Sequence, residues 1–314
     1  MQWEDRIGRR LKLRDVNILL AVVQSGSMAR AAERLAVSQP VVSKAIADLE
    51  HILGVRLLDR SRRGVEPTSY GQALLQRGLA AFDELRQGVK DIEFLADPTA
   101  GEVRIGASDA LAAGLLPVVV NRLYRQYPRL LVHVTTGVPD SLFRELRERN
   151  VDFIIGRLFS RIEEDFTSEP LFDEPIFVVA GAQSRWLARR KIELAQLLDE
   201  PWLLPPSESA PGALIAAKFR QCGLSVPQAA VVTNSIQMMS VLLASGGFLG
   251  MYPRSVLQFG AKHLTPKILP VRLPDQFAPV GIVTLKNRTL GSTARLFIDS
   301  VREVAKPLTK GSTR

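Results

Sequence analysis

The stretch from Ser25 to Glu50, SGSMARAAERLAVSQPVVSKAIADLE, constrains this chain more than any other part of it. It predicts two short helices joined by a tight turn. Ser27 suits the start of the first helix because its hydroxyl can accept from amides of the first turn. Pro40 suits the first turn of the second helix, where its missing N–H would have no partner. The second helix is therefore expected to begin at Ser38 or Gln39.

The second helix has two different faces. Its apolar residues recur with the i, i+3, i+4, i+7 spacing of a buried face, at Val42, Ala45, Ile46, Leu49 and Leu53. The opposite face is short and polar and carries Pro40, Ser43, Lys44 and Ala47. Such a face fits a DNA major groove about 12 Å wide, which helix-turn-helix proteins read with the first residues of their second helix. An ordinary helical hairpin with a solvated face would show the same pattern.

Two short extended segments around Gly64 follow the helix pair, in the run VRLLDRSRRGVEPT. Four arginines of this region could contact phosphates or a narrow minor groove, namely Arg56, Arg60, Arg62 and Arg63. Arginines are also frequent in solvated turns. The net charge is +9 for the whole chain, with +4 in residues 1–66, −2 in residues 67–97 and +7 beyond them. The patterned wing therefore indicates DNA binding better than net charge does.

The run AERLAVSQPVVSKAIADLEHILGVRLLDRSRRGVEPTSYGQALL resembles the N-terminal domain of the LysR-type transcriptional regulators. The resemblance combines the motifs AA-x-x-L-x-x-SQP-x-VS, LE-x-x-LG-x-x-L-x-x-R and PT-x-x-G, and it continues through the rest of the chain. It implies sequence-specific binding of double-stranded DNA, control by a small-molecule effector, and dimers that often assemble into tetramers. Family members usually carry threonine or serine in place of Ala29, a departure that bears on one contact to the DNA backbone and not on the fold. The expected DNA-binding residues are Ser27, Arg30, Ser38, Gln39, Pro40, Ser43, Lys44, Arg56, Arg60, Arg62 and Arg63.

The chain is expected to be an α+β multidomain protein in three parts. Residues 1–66 would form a winged helix-turn-helix domain supported by a helix at 13–24, and residues 67–97 a linker and dimerisation helix. Residues 98–314 would form a two-lobed α/β effector domain like that of periplasmic binding proteins. Apolar residues of the linker helix recur every seven positions, which predicts pairing with a second copy, at Leu75, Phe82, Val89 and Ala96 with Leu85 and Ile92. The alternative is an amphipathic helix lying on its own domain.

Beyond residue 97, short apolar runs alternate with helical patterns, which predicts parallel sheets covered by helices. The first lobe is expected at residues 103–180 plus 281–305, with strands at 103–107, 130–135 and 152–156 and helices at 111–126 and 139–149. The alternation restarts with a strand at 177–180. In the second lobe, residues 181–280, strands are expected near 202–204, 230–232 and 248–252 and helices near 214–222 and 236–244.

Ligands of such folds settle at the carboxyl ends of strands, in the cleft between the lobes. Strand ends and helix starts nominate the effector-binding residues Ser108, Asp109, Thr136, Gly137, Arg157, Leu158, Pro206, Ser207, Asn234 and Ser235. Plain helix capping is the alternative for each serine, and Arg157 could equally lie on the surface. Hydroxyls and free amides at helix starts suit a carboxylate or sulfonate, and the basic effector region mildly favours an organic anion. Trp202, near the expected cleft, would report its occupancy.

The sequence gives little support to an enzyme, a metal site or a cofactor. The histidines His51, His133 and His263 lie far apart, and no catalytic motif accompanies them. Cys222 alone cannot form an internal disulfide or a cysteine-based metal site, and it favours a reduced, cytoplasmic setting. We expect no signal peptide and no membrane span. Two alternatives remain open, a cytoplasmic solute-binding receptor and a non-specific architectural DNA-binding protein.

Overall fold

The computed structural model describes residues 10–61, 64–158, 163–261, 266–274 and 278–309, with the backbone alone at Arg60 and Ser61. The chain divides into two compact units, Met1–Gln87 and Gly88–Arg314. Each unit has its own hydrophobic core. The two units are described in turn.

The first unit contains the predicted helix pair, its support helix and the two extended segments. Its elements are α1 (Leu13–Ser25), α2 (Met28–Arg34), α3 (Gln39–Leu53), β1 (Leu58–Ser61) and β2 (Gly64–Pro67). The two strands form an antiparallel hairpin. Ala31 and Ala32 are buried, because small side chains let α2 pack closely against its neighbours. The buried face of α3 is the predicted one, except that Leu53 is only half-buried.

The motif PT-x-x-G marks the start of the next helix, α4 (Ser69–Ala96). The Thr68 hydroxyl accepts from the Gly71 amide at 3.1 Å and donates to the Arg56 carbonyl at 2.7 Å. A β-carbon at residue 71 would lie 2.0 Å from the Leu57 carbonyl oxygen. Glycine is therefore required at this position, because α4 begins in direct contact with the backbone that leads into β1.

The two ends of α4 have different surroundings. Leu75 is buried in the core of the first unit, with Leu79 and Phe82 packed against it. Leu75 is thus part of its own domain, which corrects its assignment to a seam between two copies. The later apolar residues are exposed, at 54% for Leu85, 56% for Val89, 68% for Ile92 and 80% for Leu95.

The second unit contains two five-stranded sheets. The first sheet has the order β4-β3-β5-β12-β6, formed by β3 (Ala100–Ala107), β4 (Arg129–Thr136), β5 (Phe153–Arg157), β6 (Phe166–Asp173) and, late in the chain, β12 (Pro279–Leu285). Strands β3, β4 and β5 are parallel as predicted. Strand β12 is antiparallel to both β5 and β6. The sheet is therefore mixed, and β6 is a strand that the sequence did not predict.

Helices cover this first sheet. They are α5 (Asp109–Ala113), α6 (Leu115–Gln126), α7 (Pro139–Arg147) and the last helix of the chain, α11 (Ser292–Thr309). The single helix expected at 111–126 is wrong, because the chain breaks at Gly114. A β-carbon there would lie 2.8 Å from the Ser255 carbonyl oxygen. The break allows this close approach of backbone from the other lobe.

The second sheet has the order β11-β7-β10-β8-β9. Its elements are β7 (Ile176–Ala180), β8 (Trp202–Leu204), α8 (Ala210–Gln221), β9 (Ala229–Val232), α9 (Ile236–Ser245), β10 (Leu249–Pro253), α10 (Arg254–Phe259) and β11 (Lys267–Ile268). Strand β7 pairs with β10 and β11. The expected lobe boundary at residue 180 is therefore wrong, since the chain crosses to the second lobe before Ile176. It returns before Pro279, so it crosses twice, as predicted.

Candidate functional site

The start of α3 presents a polar, accessible face. Ser38, Gln39, Pro40 and Lys44 are all exposed, while the opposite face of the helix is buried. Ser43 differs from the prediction, because it is half-buried and its hydroxyl lies 3.4 Å from the Met28 sulfur. Ser43 thus contacts the neighbouring helix instead of pointing fully outward.

The neighbouring residues of α2 complete this face. Arg30 and Ala29 are exposed. The predicted cap at Ser27 is wrong, because its hydroxyl accepts no hydrogen bond from the first turn of α2. The Ser38 hydroxyl likewise caps nothing at the start of α3. The Ser27 carbonyl accepts the first hydrogen bond within α2, from the Ala31 amide at 3.0 Å.

A half-buried carboxylate contact holds the hairpin against α3. The Glu50 carboxylate accepts from the Leu57 amide at 2.7 Å and from the Leu58 amide at 3.2 Å. Arg56 is exposed, and its guanidinium lies 3.8 Å from the Asp59 carboxylate, which is exposed too. Exposed pairs of this kind contribute little to stability, so Arg56 can exchange Asp59 for another anion.

The other three wing arginines, Arg60, Arg62 and Arg63, follow Arg56 in the sequence. The backbone of Arg60 lies in β1, paired with Val65 of β2. Arg62 and Arg63 fall outside the described residues. The hairpin that would carry all of them is nevertheless formed on both sides of the turn.

The second unit holds a cavity of about 390 Å³ between its two sheets. Its walls come from the carboxyl ends of β3, β4 and β5 on one side and from the starts of α8 and α9 on the other. Cavities of this size accommodate small organic ligands. The position matches the rule that ligands of α/β sheets bind beyond the carboxyl ends of strands.

Seven of the ten nominated effector residues line this cavity: Ser108, Asp109, Thr136, Gly137, Arg157, Asn234 and Ser235. The other three, Leu158, Pro206 and Ser207, do not. Leu158 packs beside Gly281 of β12. The Ser207 hydroxyl donates to the Glu208 carboxylate at 3.1 Å. Ser207 precedes the cap of α8, Ser209, by two residues, and the helix begins at Ala210, earlier than the expected start near residue 214.

The nominated serines differ in what their hydroxyls do. The Ser235 hydroxyl accepts from the Met238 amide at 3.2 Å, so it caps α9. The Ser209 hydroxyl caps α8 through the Gly212 amide at 3.2 Å. The Ser108 hydroxyl caps nothing at the start of α5. Of the nominated serines that line the cavity, Ser108 thus has a hydroxyl that helix capping does not use.

One hydrogen bond joins the two lobes across the cavity wall. The Asp109 carboxylate, on α5, accepts from the Ile236 amide at the start of α9 at 2.6 Å. A carboxylate suits this position because the first amides of a helix have no partner within it. Below it, the Tyr252 hydroxyl donates to the Ile236 carbonyl at 3.2 Å. Burial raises the pKa of Tyr252 to about 12, and the negative charge of Asp109 adds to the rise.

Arg157 is not a surface residue, because it lies at the base of the cavity where the chain crosses between lobes. Its guanidinium donates to the Glu174 carbonyl at 3.0 Å and to the Ala278 carbonyl at 3.2 Å. These carbonyls belong to the two crossing segments. Burial lowers the pKa of Arg157, and the nearby Glu174 carboxylate opposes that change. Arg157 thus ties both crossings to the end of β5.

Glu174 is itself buried within one crossing. Its carboxylate accepts from the Ser255 amide at the start of α10 at 2.9 Å. Burial raises the pKa of Glu174, against the opposing effects of Arg157, Ser255 and Arg254. The sequence offered no signal for this role, because Glu174 lies in an irregular DEP segment.

Most of the cavity wall is apolar and was missed by the sequence reasoning. The apolar lining residues include Leu142, Phe143, Ile154, Ile176, Leu214, Ile215, Met239, Met251 and Val283. They come from seven different helices and strands, so no local sequence pattern identifies them as one site. Trp202 was expected to lie at the cleft and instead is fully buried in the second lobe, with its indole donating to the Leu197 carbonyl at 2.7 Å.

The histidines do not meet in the described structure. His51 is exposed on the last turn of α3, His133 is exposed on β4 with Glu102 at 3.7 Å, and His263 lies outside the described residues. Across the ranges described, no three side chains of the usual metal-binding types converge. Within the same ranges, none of the helices has the length and apolar character needed to cross a membrane.

Comparison with known proteins gives a consistent assignment. Residues 13–72 match the family described as bacterial regulatory helix-turn-helix protein, lysR family, and residues 96–306 match the LysR substrate binding domain. The chain is 30% identical to the HTH-type transcriptional regulator GbpR of Azospirillum brasilense, over 93% of this chain and 86% of GbpR. It is 27% identical to the HTH-type transcriptional regulator PcaQ of Agrobacterium fabrum, over 98% and 99%. Full-length OxyR from Pseudomonas aeruginosa has a similar structure, with a TM-score of 0.68 at 25% identity over 96% of this chain and 98% of that one.

The helix pair and hairpin fall within the first matched region, and the cavity falls within the second. An architectural DNA-binding protein would account for the first region alone, and a solute-binding receptor for the second alone. This chain carries both. It belongs to the LysR family of transcription regulators, which bind DNA through an N-terminal helix-turn-helix domain and carry a C-terminal effector-binding domain.

Proposed function

We propose that this regulator reads its operator with the exposed start of α3, binds its effector in the cavity between the two lobes, and assembles through the second half of α4. The observation that carries the proposal is the cavity, where the strand ends of one lobe face the helix starts of the other. The effector would favour one arrangement of the lobes through its differential affinity, and thereby shift an existing equilibrium. DNA binding implies a cytoplasmic regulator.

On the DNA side, affinity and discrimination would come from different residues. Phosphate contacts from Arg30, Arg56 and the wing arginines Arg60, Arg62 and Arg63 would supply affinity that falls steeply with salt. Discrimination would come from Gln39, with Ser38, Pro40 and Lys44 beside it. Gln39 is exposed on the first turn of α3, and a glutamine can pair with an adenine edge through two hydrogen bonds.

The Gln39→Ala variant tests the base readout. We expect it to lose about 1–3 kcal/mol of discrimination at one base pair while the salt dependence of binding stays unchanged. Arg56→Ala is the matched control, because loss of one phosphate contact weakens binding to all sequences and lowers the salt slope by about one. Binding to an operator and its single-base variants, measured across salt concentrations, separates the two. Retained preference at every base would remove Gln39 from the readout.

On the effector side, the Ser108 hydroxyl is a direct candidate contact, because it lines the cavity and caps no helix. Ser108→Ala is expected to weaken the effector response about tenfold without changing DNA affinity in the absence of effector. Ser207→Ala is the control, since Ser207 is close in sequence to the cavity wall but does not line it. Equal responses from both variants would exclude Ser108 as a contact.

The oligomer would form along the apolar strip Leu85, Val89, Ile92 and Leu95. These residues are more than half exposed in the single chain, and their spacing places them along one side of α4. An Ile92→Glu variant is expected to dissociate to monomer at concentrations where the unchanged protein is a dimer or tetramer, measured by analytical ultracentrifugation. Glu93→Lys on the adjacent polar position should leave the assembly intact. An Ile92→Glu protein that sediments unchanged would rule out this strip.

A further inference from the structure

We propose that the effector is an uncharged, largely apolar molecule and not an organic anion. This inference rests on the proposed function, since it assumes that the cavity between the lobes is the effector site. It concerns the chemical class of the ligand, which the charges and free hydrogen-bonding groups of the cavity wall decide.

The ionisable groups on the wall do not favour an anion. Among the described residues that line the cavity, the ionisable ones are Asp109 and Arg157. Asp109 is an acidic residue, and a negative ligand charge placed near a carboxylate inside the protein is repelled more strongly than in water. An anionic ligand would therefore need a compensating cation elsewhere on the wall.

Arg157 supplies little of that compensation. One nitrogen of its guanidinium already donates to the Glu174 and Ala278 carbonyls. The Glu174 carboxylate lies close enough to favour the charged form of Arg157. The guanidinium of Arg157 is thus already engaged by groups that belong to the fold. The other ionisable side chain on the described wall is Asp109, an acid.

Several amides at the helix starts on the wall already have side-chain acceptors. At α9, the Ile236 amide donates to Asp109 and the Met238 amide to the Ser235 hydroxyl. At α8, the Gly212 amide donates to Ser209, and Pro211 has no amide hydrogen. Helix α7 begins with another proline. These starts therefore offer an anion fewer free amides than the sequence suggested.

The rest of the wall is hydrocarbon. It is formed by apolar side chains from both lobes, such as Leu142 and Met239. Hydroxyls of Ser108 and Thr136 in one lobe and the Asn234 amide in the other provide a few polar contacts. Such a wall matches a molecule with an apolar body and one or two hydroxyl or carbonyl groups.

The test uses the full-length protein and the uncharged dye N-phenylnaphthylamine, whose fluorescence rises on transfer to an apolar site. We expect the dye to bind saturably. Three competitors share one alkyl chain and differ in charge, and we expect them to displace the dye to different extents. Octanol should displace the dye at a concentration about tenfold lower than octanoate or octylammonium does. The Asp109→Asn variant should reduce the difference between the concentrations at which octanol and octanoate displace the dye. Asp199→Asn, a control at an exposed site, should leave that difference unchanged.

The outcomes separate this inference from the proposed function. A Met239→Trp variant, which places a larger side chain on the cavity wall, should weaken dye binding while its circular dichroism stays native. If octanoate or octylammonium displaces the dye as well as octanol does, the cavity remains the site and the uncharged class is wrong. If Met239→Trp binds the dye as the unchanged protein does, the cavity itself is wrong as the site.

Discussion

The two units of this regulator encode their functional sites in different ways. In the first unit, the residues proposed to contact DNA and the residues that position them lie within one continuous stretch, from Ser27 to Gly71. In the second unit, the cavity is lined by residues from Ser108 to Val283, drawn from both lobes. A site built from neighbours in sequence is fixed by local backbone contacts. A site built across two chain crossings is fixed by how the two sheets are joined.

This difference explains why the motifs of the first unit are so compact. Glu50 accepts from the two amides that open the hairpin, Thr68 caps α4, and Gly71 lets α4 begin against Leu57. In each contact the two residues lie fewer than twenty positions apart in the sequence. Each contact also requires one particular residue type at one of its two positions. In the second unit the equivalent fixing contacts are Asp109 with Ile236 and Arg157 with Ala278, which are separated by 127 and 121 residues. Separately placed substitutions can therefore break one unit and spare the other.

The largest effect is expected from Gly71→Ala. The added β-carbon would lie 2.0 Å from the Leu57 carbonyl oxygen, so the hairpin or the start of α4 must move. We expect a loss of about 3 kcal/mol in the free energy of unfolding of the first unit, with loss of operator binding. Gly88→Ala on the same helix is the matched control, because a β-carbon there meets no other atom within 4 Å. That control should be stabilised by up to about 1 kcal/mol.

Differential scanning calorimetry and operator binding of the two variants provide the measurement. The transition of the second unit should not change in Gly71→Ala. Gly88 belongs to the second unit, so stabilisation by Gly88→Ala should appear in that unit's transition. If the first unit unfolds at the same temperature in Gly71→Ala and Gly88→Ala, the contact with Leu57 is not what fixes the hairpin.

The same contrast sets how much could be predicted from sequence. The helix pair, the hairpin and the outward start of α3 follow from residue types and spacing, and all are present. In the second unit, strand alternation correctly placed β3, β4 and β5 and most of the nominated cavity residues. It missed β6, whose sequence FTSEPLFD contains a proline and two acidic residues, because its pairing with β12 overrides weak local propensity.

Other misses have the same origin. Gly114 ends α5 because backbone from the other lobe approaches it, and nothing near Gly114 in sequence encodes that approach. Arg157 was an even choice between surface and cleft, since the carbonyls that bind it lie 17 and 121 residues away. Long-range pairing, which the local pattern does not contain, decides each of these positions.

The second-largest effect is expected from Arg157→Met, which removes the link between the two crossings. Loss of charge-assisted hydrogen bonds to two partly buried carbonyls should cost about 2–3 kcal/mol in the second unit. DNA affinity without effector should be unchanged if the first unit folds by itself. Calorimetry of the full chain with an operator titration makes the comparison. A conservative Arg157→Lys variant should recover only part of the stability, because lysine cannot reach both carbonyls with one planar group.

A smaller effect is expected from Glu50→Ala in the first unit. Two amides of buried residues would lose their acceptor, at a cost of about 2 kcal/mol. Glu50→Gln keeps a carbonyl oxygen at the same position and should recover most of that loss. The salt slope of operator binding should fall in the alanine variant, because the hairpin that carries the wing arginines is no longer held to α3. Equal slopes in the two variants would show that Glu50 supports folding alone.

The smallest effect concerns Glu174 and tests the crossing through pH. Burial raises the pKa of Glu174 above its ordinary value, so the native state holds this proton more tightly than the unfolded chain does. Its contribution to stability is therefore complete below the unfolded-state pKa and is lost as pH rises through the raised folded-state pKa. Glu174→Gln keeps an acceptor for the Ser255 amide and removes the titration. Relative to the unchanged protein, it should therefore gain stability as the pH rises from 4 to 8. Urea unfolding of the second unit at both pH values measures this, with exposed Glu208→Gln as the control. If Glu174→Gln instead loses stability relative to the unchanged protein over this range, pairing of Glu174 with Arg157 outweighs its burial. The crossing is then held by a charged pair.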